Sequence, residues 1–108
     1  MTKKHEREVN WISTHPYVIC ERPIISAKNV LFFNKEGNTA AEVDNLVYNG
    51  ELYLVEYKTN LNEELKAIKQ LYRQERFLRG IGYNGLVHKV FLHGDIKWKE
   101  QNVKYTQE

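Results

Sequence analysis

Residues 41–60 read A-E-V-D-N-L-V-Y-N-G-E-L-Y-L-V-E-Y-K-T-N. The stretch contains two apolar-rich runs, 41–48 and 52–59, on either side of Asn49-Gly50. An Asn-Gly pair between two such runs is a strong local signal for a β-hairpin, because both residues tolerate the positive φ angles of tight turns. The stretch therefore predicts a hairpin, around which the rest of the fold is arranged.

Three charged residues, Asp44, Glu56 and Lys58, interrupt these apolar runs. Burying a charge is strongly unfavourable unless the charge is paired or binds a metal. Residues two apart in a strand share a face, so Glu56 and Lys58 point the same way. An ordinary Glu–Lys pair on a solvent-facing hairpin is the alternative. It is disfavoured because Leu52 and Leu54 lie on that same face.

The length of the turn decides whether Asp44 joins the other two charges. A two-residue loop places Asp44 opposite Val55. A three-residue loop with Gly50 in the left-handed conformation shifts the register by one and brings Asp44 to the face of Glu56. Cross-strand neighbours on that face are about 4.5–8 Å apart, near enough for two carboxylates to share one hard cation. We predict the three-residue loop.

The pattern D-x(11)-E-x-K, formed by Asp44 and Glu56-Tyr57-Lys58, resembles the core of the PD-(D/E)XK nucleases, with Val43 in place of the proline. The resemblance implies Mg²⁺, for which Mn²⁺ substitutes, held by Asp44, Glu56 and the backbone carbonyl of Tyr57. It also implies that Lys58 orients or deprotonates the attacking water and offsets negative charge. The sequence does not choose between these two roles of the lysine.

The first helix contains the run H-E-R-E, which resembles the helix that carries an additional acid in archaeal Holliday-junction resolvases. The resemblance implies that Glu6 is a further catalytic and metal-binding residue, with Glu8 as the alternative. The simpler interpretation is that both are solvated acids near the positive end of a helix dipole.

The second helix has a basic stripe at steps of three, four and three residues, formed by Lys66, Lys69, Arg73 and Arg76. Such a stripe suits a phosphate backbone, although a merely solvated face is the competing interpretation. Gln70 lies on this helix where some RecB-like nucleases carry a glutamine, and we include it among the nucleic-acid contacts. Gln74 stands where the RecB-like pattern Q-x-x-x-Y has tyrosine, which disfavours that branch of the family.

Two helices are predicted outside the hairpin. Residues 3–13 form a short helix with Thr2 as its N-cap, and residues 61–79 form a longer one that follows Asn60 and is closed by Gly80. The longer helix has an apolar stripe at helical spacing, which consists of Leu65, Ile68, Leu71, Tyr72 and Leu78.

Strands are predicted over 17–20 and 29–33, before the hairpin, and over 85–93, after the second helix. Residues 94–108 are polar and predict either a short edge strand or a frayed tail. The chain is thus one α/β domain spanning residues 1–108. Its order, αβββαβ with room for an extra strand, is that of the restriction-endonuclease-like core, in which helices flank a mixed central sheet.

Length and charge fit this interpretation. A chain of 108 residues supports a single core, and a net charge of +2 with a pI near 8.6 is compatible with nucleic acid. The single cysteine, Cys20, excludes an internal disulfide and favours a reducing compartment. There is no apolar run of about 18 residues and no signal-like N-terminus, so we expect no membrane segment and a cytoplasmic, intracellular protein of cellular, viral or plasmid origin.

The sequence therefore predicts a Mg²⁺-dependent DNA endonuclease similar to Holliday-junction resolvases, acting on branched or duplex DNA. By analogy with such enzymes we expect a homodimer, because a four-way junction requires two paired incisions. Two alternatives remain open. One is another nuclease of the same superfamily, a nicking or restriction-type DNase or an RNase, and the other is a non-catalytic nucleic-acid-binding module of the same fold.

Overall fold

The computed structural model describes residues 3–96 and 105–107. The chain forms two helices and five strands in the order α1 (Lys3–Thr14), β1 (Ile25–Phe33), β2 (Thr39–Tyr48), β3 (Leu52–Lys58), α2 (Glu64–Gly80), β4 (Val87–His93) and β5 (Tyr105–Gln107). Single 3₁₀ turns lie at Pro16–Val18 and Leu61–Glu63. The observed order is αβββαβ with β5 added at the end, which is the predicted order without the strand at 17–20.

The five strands form one mixed sheet in the order β1-β2-β3-β4-β5. The neighbours are antiparallel except β3 and β4, which are parallel and are joined through α2, the type of crossover that parallel strands require. The prediction of an α/β fold with a mixed sheet and flanking helices is confirmed. The edge strand predicted within 94–108 is β5, while residues 97–104 and 108 of that stretch lie outside the described residues, as does the predicted N-cap Thr2.

The hairpin has the predicted three-residue loop. Tyr48 pairs with Leu52, and the register continues to Asn45 opposite Val55. Gly50, in the loop, has a φ of 106°, which an L side chain rarely adopts. The next residues along the two strands are therefore Asp44 and Glu56, on opposite sides of the hairpin and on the same face.

The two helices cover opposite faces of the sheet. On one face, α1 packs on a cluster formed by Val9, Ile12, Val55, Tyr57, Val90, Leu92 and Ile96. On the other face, α2 packs on a cluster formed by Val43, Leu52, Leu54, Leu71, Leu78 and Val87. The residues of β3 alternate between these two clusters, as the pleat of a strand requires. The charged end of β3 therefore lies between two well-packed layers.

The strand predicted over 17–20 is wrong. Those residues belong to the 3₁₀ turn Pro16–Val18 and to the irregular segment after it, and β1 begins only at Ile25. Pro16 occupies the start of the turn, where its fixed φ is favourable. A β-rich run of only four residues was too short for its composition to outweigh that local geometry.

The boundaries of α2 also differ from the prediction. The segment Leu61–Glu63 is a 3₁₀ turn, and the α-helix starts at Glu64 without a side-chain cap from Asn60. At the other end the helix continues through Gly80. It is Gly82, with a φ of 99°, whose N–H bonds the carbonyl of Arg79. The glycine that terminates the helix is thus two residues later than predicted.

The apolar stripe of α2 is only partly as predicted. Leu71 and Leu78 are buried and Ile68 is half-buried, but Leu65 is 74% exposed and Tyr72 is 46% exposed. The buried face is instead completed by two residues of other types, Ala67 and Gln74. Hydrophobicity alone therefore misplaced the edges of the buried stripe, because a small residue and a polar one occupy part of it.

None of the helices within the described residues is both long enough and apolar enough to cross a lipid bilayer.

Candidate functional site

The candidate site lies where β2 and β3 separate. Their backbone pairing ends at Asn45 and Val55. Beyond that point the N–H of Asp44 donates to Glu56 Oε2 at 3.0 Å, and the N–H of Tyr57 donates to Asp44 Oδ2 at 2.8 Å. Each carboxylate thus accepts a backbone hydrogen bond from the opposite strand, in place of the ladder bonds that the splayed strands no longer make. We call this arrangement the carboxylate clasp.

The clasp leaves one oxygen of each carboxylate available. Glu56 Oε2 also accepts a hydrogen bond from Gln74 Nε2 at 2.9 Å, and Asp44 Oδ2 lies 3.3 Å from His5 Nε2. Within the described residues, every hydrogen bond or ion pair to the two carboxylates involves Oδ2 or Oε2. Asp44 Oδ1 and Glu56 Oε1 are therefore the atoms that are free to bind a further group.

The electrostatics of the clasp favour a cation. Glu56 is 3% exposed, and burial together with the nearby charge of Asp44 raises the pKa of Glu56 to about 8. Burial also raises the pKa of Asp44, against opposing effects from the Tyr57 N–H, His5 and Lys58. Two carboxylates so close together cannot both ionise readily. Without a metal, the pair therefore retains a proton near neutral pH. A bound divalent cation would offset the repulsion between the two negative charges.

A pocket of about 370 Å³ opens at the clasp, with Lys58, His5, Glu42 and Gln70 among the residues on its wall. Toward α2 it adjoins a depression of about 210 Å³ that shares Glu42 and Gln70 and includes Arg73. The two depressions share lining residues and therefore adjoin, and we call this open surface the groove.

The groove also extends in the other direction, over β1. A depression of about 230 Å³ shares Asp44 with the central pocket and includes Asn29. Asn29 also lines a further depression of about 300 Å³, where Lys28 and Glu6 are located. The clasp thus lies between neighbouring depressions, one lined by Arg73 and another in which Lys28 lies beside the acidic Glu6.

The structure brings together the three residues of the D…E-x-K pattern. Lys58 is half-buried on the wall of the same pocket as Asp44 and Glu56. Tyr57 directs its N–H toward Asp44, and the N–H and C=O of one residue point to the same edge of a strand, so its carbonyl points to that side too. The ring of Tyr57 is buried in the opposite direction, in the core under α1.

Glu6 is not placed at the clasp, which corrects the expectation for this residue. Its side chain is exposed and lines the depression near Lys28. Glu8, the alternative, is fully buried and forms an ion pair with Arg7 at 3.2 Å, and it is not among the residues that line the central pocket. The residue of α1 that reaches the clasp is His5.

The sequence offered a signal for His5. It precedes the buried residues Val9 and Ile12 of α1 by four and seven positions, the spacing of one helix face. Glu6 is one residue further along and therefore rotated by about 100° away from that face. The resemblance to an E-R-E helix drew attention to the acids, whereas the helix geometry selects the histidine.

Gln74 was also missed. It is fully buried, and its amide nitrogen donates to Glu56 Oε2 and to the backbone carbonyl of Glu42, the latter at 2.6 Å. The signal for this residue was its position among the buried residues Ala67, Leu71 and Leu78 of α2. A polar side chain in such a stripe needs a hydrogen-bond partner, and here the partner is a residue of the clasp.

The basic stripe of α2 is exposed along its whole length, as predicted. Its members Lys66, Lys69, Arg73 and Arg76 are all exposed. Arg73 and Gln70 line the depression beside the central pocket, so this end of the stripe adjoins the clasp. The other three side chains extend the positive surface along the helix.

The donor set at the clasp fits a hard cation that needs few protein ligands. Within residues 3–96 and 105–107, no group of three or more His, Cys, Asp and Glu side chains is arranged to enclose a metal. The clasp instead presents two carboxylate oxygens beside a backbone carbonyl. Mg²⁺ usually keeps several of its waters and binds through one or two carboxylates, so it fits this set better than a cation that needs a full protein cage.

No protein-family model, curated protein or solved structure matches this chain.

Proposed function

We propose that the chain is a Mg²⁺-dependent DNA endonuclease with a restriction-endonuclease-like core, which hydrolyses phosphodiester bonds at the carboxylate clasp. The observation that supports this most directly is the convergence of Asp44, Glu56 and Lys58 in one pocket at the splayed end of the hairpin. A buried and a half-buried carboxylate with raised pKa values, beside a lysine in an open pocket, are typical of a functional site.

The protein groups have distinct roles in this proposal. Asp44 Oδ1, Glu56 Oε1 and the carbonyl of Tyr57 hold Mg²⁺, which when bound supplies Lewis-acid stabilisation of the phosphate and a water of lowered pKa. Lys58 lies on the pocket wall, where its charge can orient the attacking water and offset the negative charge that develops on the phosphate. The Tyr57 N–H and His5 hold Asp44 in orientation.

The groove provides the path for the substrate. Its central pocket adjoins the depression that contains Arg73, which belongs to the exposed basic stripe of α2. Contacts of this kind position a phosphate backbone without reading its sequence. DNA would therefore be held along the polar face of α2 with one phosphate at the clasp.

Neutralising two residues of the stripe should weaken DNA binding in a salt-dependent manner. If Lys69 and Arg73 each contact a phosphate, the double variant Lys69→Gln/Arg73→Gln should reduce the slope of log K against log salt by about 1.8, since each contact contributes about 0.9. Fluorescence anisotropy over a series of salt concentrations measures the slope. Lys35→Gln, which removes an exposed charge from the turn between β1 and β2, is the control. An unchanged slope in the double variant would rule out the stripe as the binding surface.

The homodimer expected of a junction-resolving enzyme has a candidate surface on β1. This strand lies at the edge of the sheet, and Ile25, Leu31 and Phe33 are 52%, 46% and 54% exposed on it. An exposed apolar edge strand favours pairing with another chain. We therefore place the contact between copies at β1 in this proposal, and sedimentation equilibrium of the wild type and of Phe33→Lys tests it.

The decisive experiment is a cleavage assay on labelled four-way junction, linear duplex, single strand and RNA, in Mg²⁺, Mn²⁺ and EDTA. Paired incisions in the junction that disappear in EDTA and in Glu56→Ala would support the resolvase-like function. Cleavage of another substrate with the same dependence would retain the nuclease and replace the substrate. Failure to cut any of the four, with DNA binding retained, would contradict the catalytic proposal and favour the binding module.

A further inference from the structure

Gln74 is a fully buried amide, and both of its hydrogen bonds end at the clasp or next to it. Its Nε2 donates to Glu56 Oε2 at 2.9 Å and to the backbone carbonyl of Glu42 at 2.6 Å. Glu42 immediately precedes Val43 and Asp44 in β2, so the side chain ties α2 to both strands of the hairpin. No other side chain of α2 has a hydrogen bond to either carboxylate within the described part of the chain.

The orientation of this amide is determined by its partners. A carboxylate oxygen and a backbone carbonyl are both acceptors, so the NH₂ group and not the oxygen of Gln74 must face them. Its Oε1 is then buried, and it has no hydrogen-bond partner among the described residues. Leaving a buried carbonyl oxygen unpaired is unfavourable, and here the two hydrogen bonds that the amide nitrogen donates offset that cost.

These bonds determine how many oxygens Glu56 offers. Its Oε2 accepts from the Asp44 N–H at 3.0 Å and from Gln74 at 2.9 Å, which uses both lone pairs of that oxygen. The carboxylate can then bind a metal through Oε1 alone. Asp44 is constrained in a similar way, because its Oδ2 is occupied by the Tyr57 N–H. Each carboxylate would therefore bind a metal through one oxygen.

We propose that Gln74 is a positioning residue that makes the clasp select small divalent cations, Mg²⁺ and Mn²⁺, over Ca²⁺. The inference rests on the proposed metal site and specifies its selectivity. Mg²⁺ requires near-ideal octahedral geometry with short bonds and is satisfied by one or two monodentate carboxylates and water. Ca²⁺ takes six to eight oxygens, often including a bidentate carboxylate. Fixing Oε2 of Glu56 in a hydrogen bond removes that bidentate option.

The test is the ratio of Mg²⁺ to Ca²⁺ affinities of Gln74→Met, measured by calorimetric titration. Methionine has a similar shape but cannot donate, so Glu56 is released from α2 and can turn both oxygens to the ion. We expect the Mg²⁺ affinity to fall about 10- to 100-fold, the range found when a partner of a metal ligand is removed, and the Ca²⁺ affinity to fall less. Equal losses for both ions, or no loss for either, would overturn the selectivity role.

Two further variants make the result specific. Asn62→Leu removes an exposed side-chain amide from the turn Leu61–Glu63 before α2, outside the wall of the central pocket, and it should leave the ratio unchanged. Gln74→Leu also removes the donor, with a smaller apolar side chain, so it should shift the ratio in the same direction as Gln74→Met. This variant replaces Gln74→Met if the latter does not fold. A ratio unchanged in Gln74→Leu would overturn the inference.

The same titration separates this inference from the proposed function. If wild-type protein and Asp44→Asn both fail to bind Mg²⁺ and Mn²⁺, the metal site itself is wrong, and the role of Gln74 falls with it. If the wild type binds Mg²⁺ in an Asp44-dependent manner and the Gln74 variants keep its selectivity, only the present inference is refuted.

Discussion

In the absence of metal, the protein is expected to lose stability as the pH rises from about 5 to about 8. Burial and the charge of Asp44 raise the pKa of Glu56 from its ordinary value to about 8. Between the two values, folded Glu56 holds a proton that the unfolded chain has released. Raising the pH then favours unfolding, by up to about 1.4 kcal/mol per pH unit for one proton. The raised pKa of Asp44 acts in the same direction.

Urea unfolding in EDTA at a series of pH values measures this effect, and Glu56→Gln isolates it. Glutamine keeps an acceptor oxygen for the Asp44 N–H but cannot ionise, so the variant should be more stable than the wild type at pH 8 and should show a shallower dependence on pH. Saturating Mg²⁺ should restore much of the lost stability of the wild type, because it binds only the folded state. A wild type in EDTA that is as stable as Glu56→Gln at pH 8 would contradict the raised pKa.

Glu75 provides a control because its pKa is shifted in the opposite direction. It accepts hydrogen bonds from Lys89 and Arg79, and these interactions lower its pKa. A carboxylate of lowered pKa stabilises the fold above its unfolded pKa and loses that contribution as the pH falls. Glu75→Gln should therefore reduce stability at neutral pH, whereas Glu56→Gln should increase it. The opposite effects of the same substitution on stability thus distinguish Glu75, a structural acid, from Glu56, an acid suited to binding a cation.

The hairpin and its register were predictable because the information is local. Asn49-Gly50 locates the turn, and of the two loop lengths that it allows, only the three-residue loop aligns the charges of Asp44 and Glu56. The same holds for the basic face of α2, which depends only on helical spacing. For these two features the local pattern was sufficient.

The remaining parts of the site depend on contacts that are distant in sequence. His5 and Gln74 reach the clasp only because α1 and α2 pack on opposite faces of β3, and the angle at which each helix packs is not encoded in its own periodicity. The helical phase of Gln74 predicts its burial, but its hydrogen-bond partners in β2 and β3 are not predictable from α2 alone. Similarly, Glu6 had the right chemistry and the wrong helical phase.

Lys58→Met is expected to suppress cleavage while leaving metal binding intact. Lys58 lies on the pocket wall, and its positive charge lowers the pKa of both Asp44 and Glu56. It therefore favours the ionised carboxylates, but it also repels a bound cation. Because these two effects oppose one another, removing the charge should change the affinity for Mg²⁺ little. The rate of cleavage should fall, because the lysine stabilises the negative charge that develops on the phosphate. One positioned electrostatic contact of this kind contributes about 10²- to 10³-fold in rate.

Asp44→Asn should behave differently, because it removes a ligand and not only a charge in the pocket. In that variant we expect Mg²⁺ affinity and cleavage to be lost together. Single-turnover cleavage of the preferred substrate, combined with Mg²⁺ titration of the same preparations, distinguishes the two patterns. Lys35→Met serves as the control for the lysine, since it removes an exposed charge from the turn between β1 and β2, outside the pocket. Parallel loss of metal binding in Lys58→Met and Asp44→Asn would show that the lysine only maintains the clasp, whereas wild-type cleavage by Lys58→Met would exclude it from the reaction.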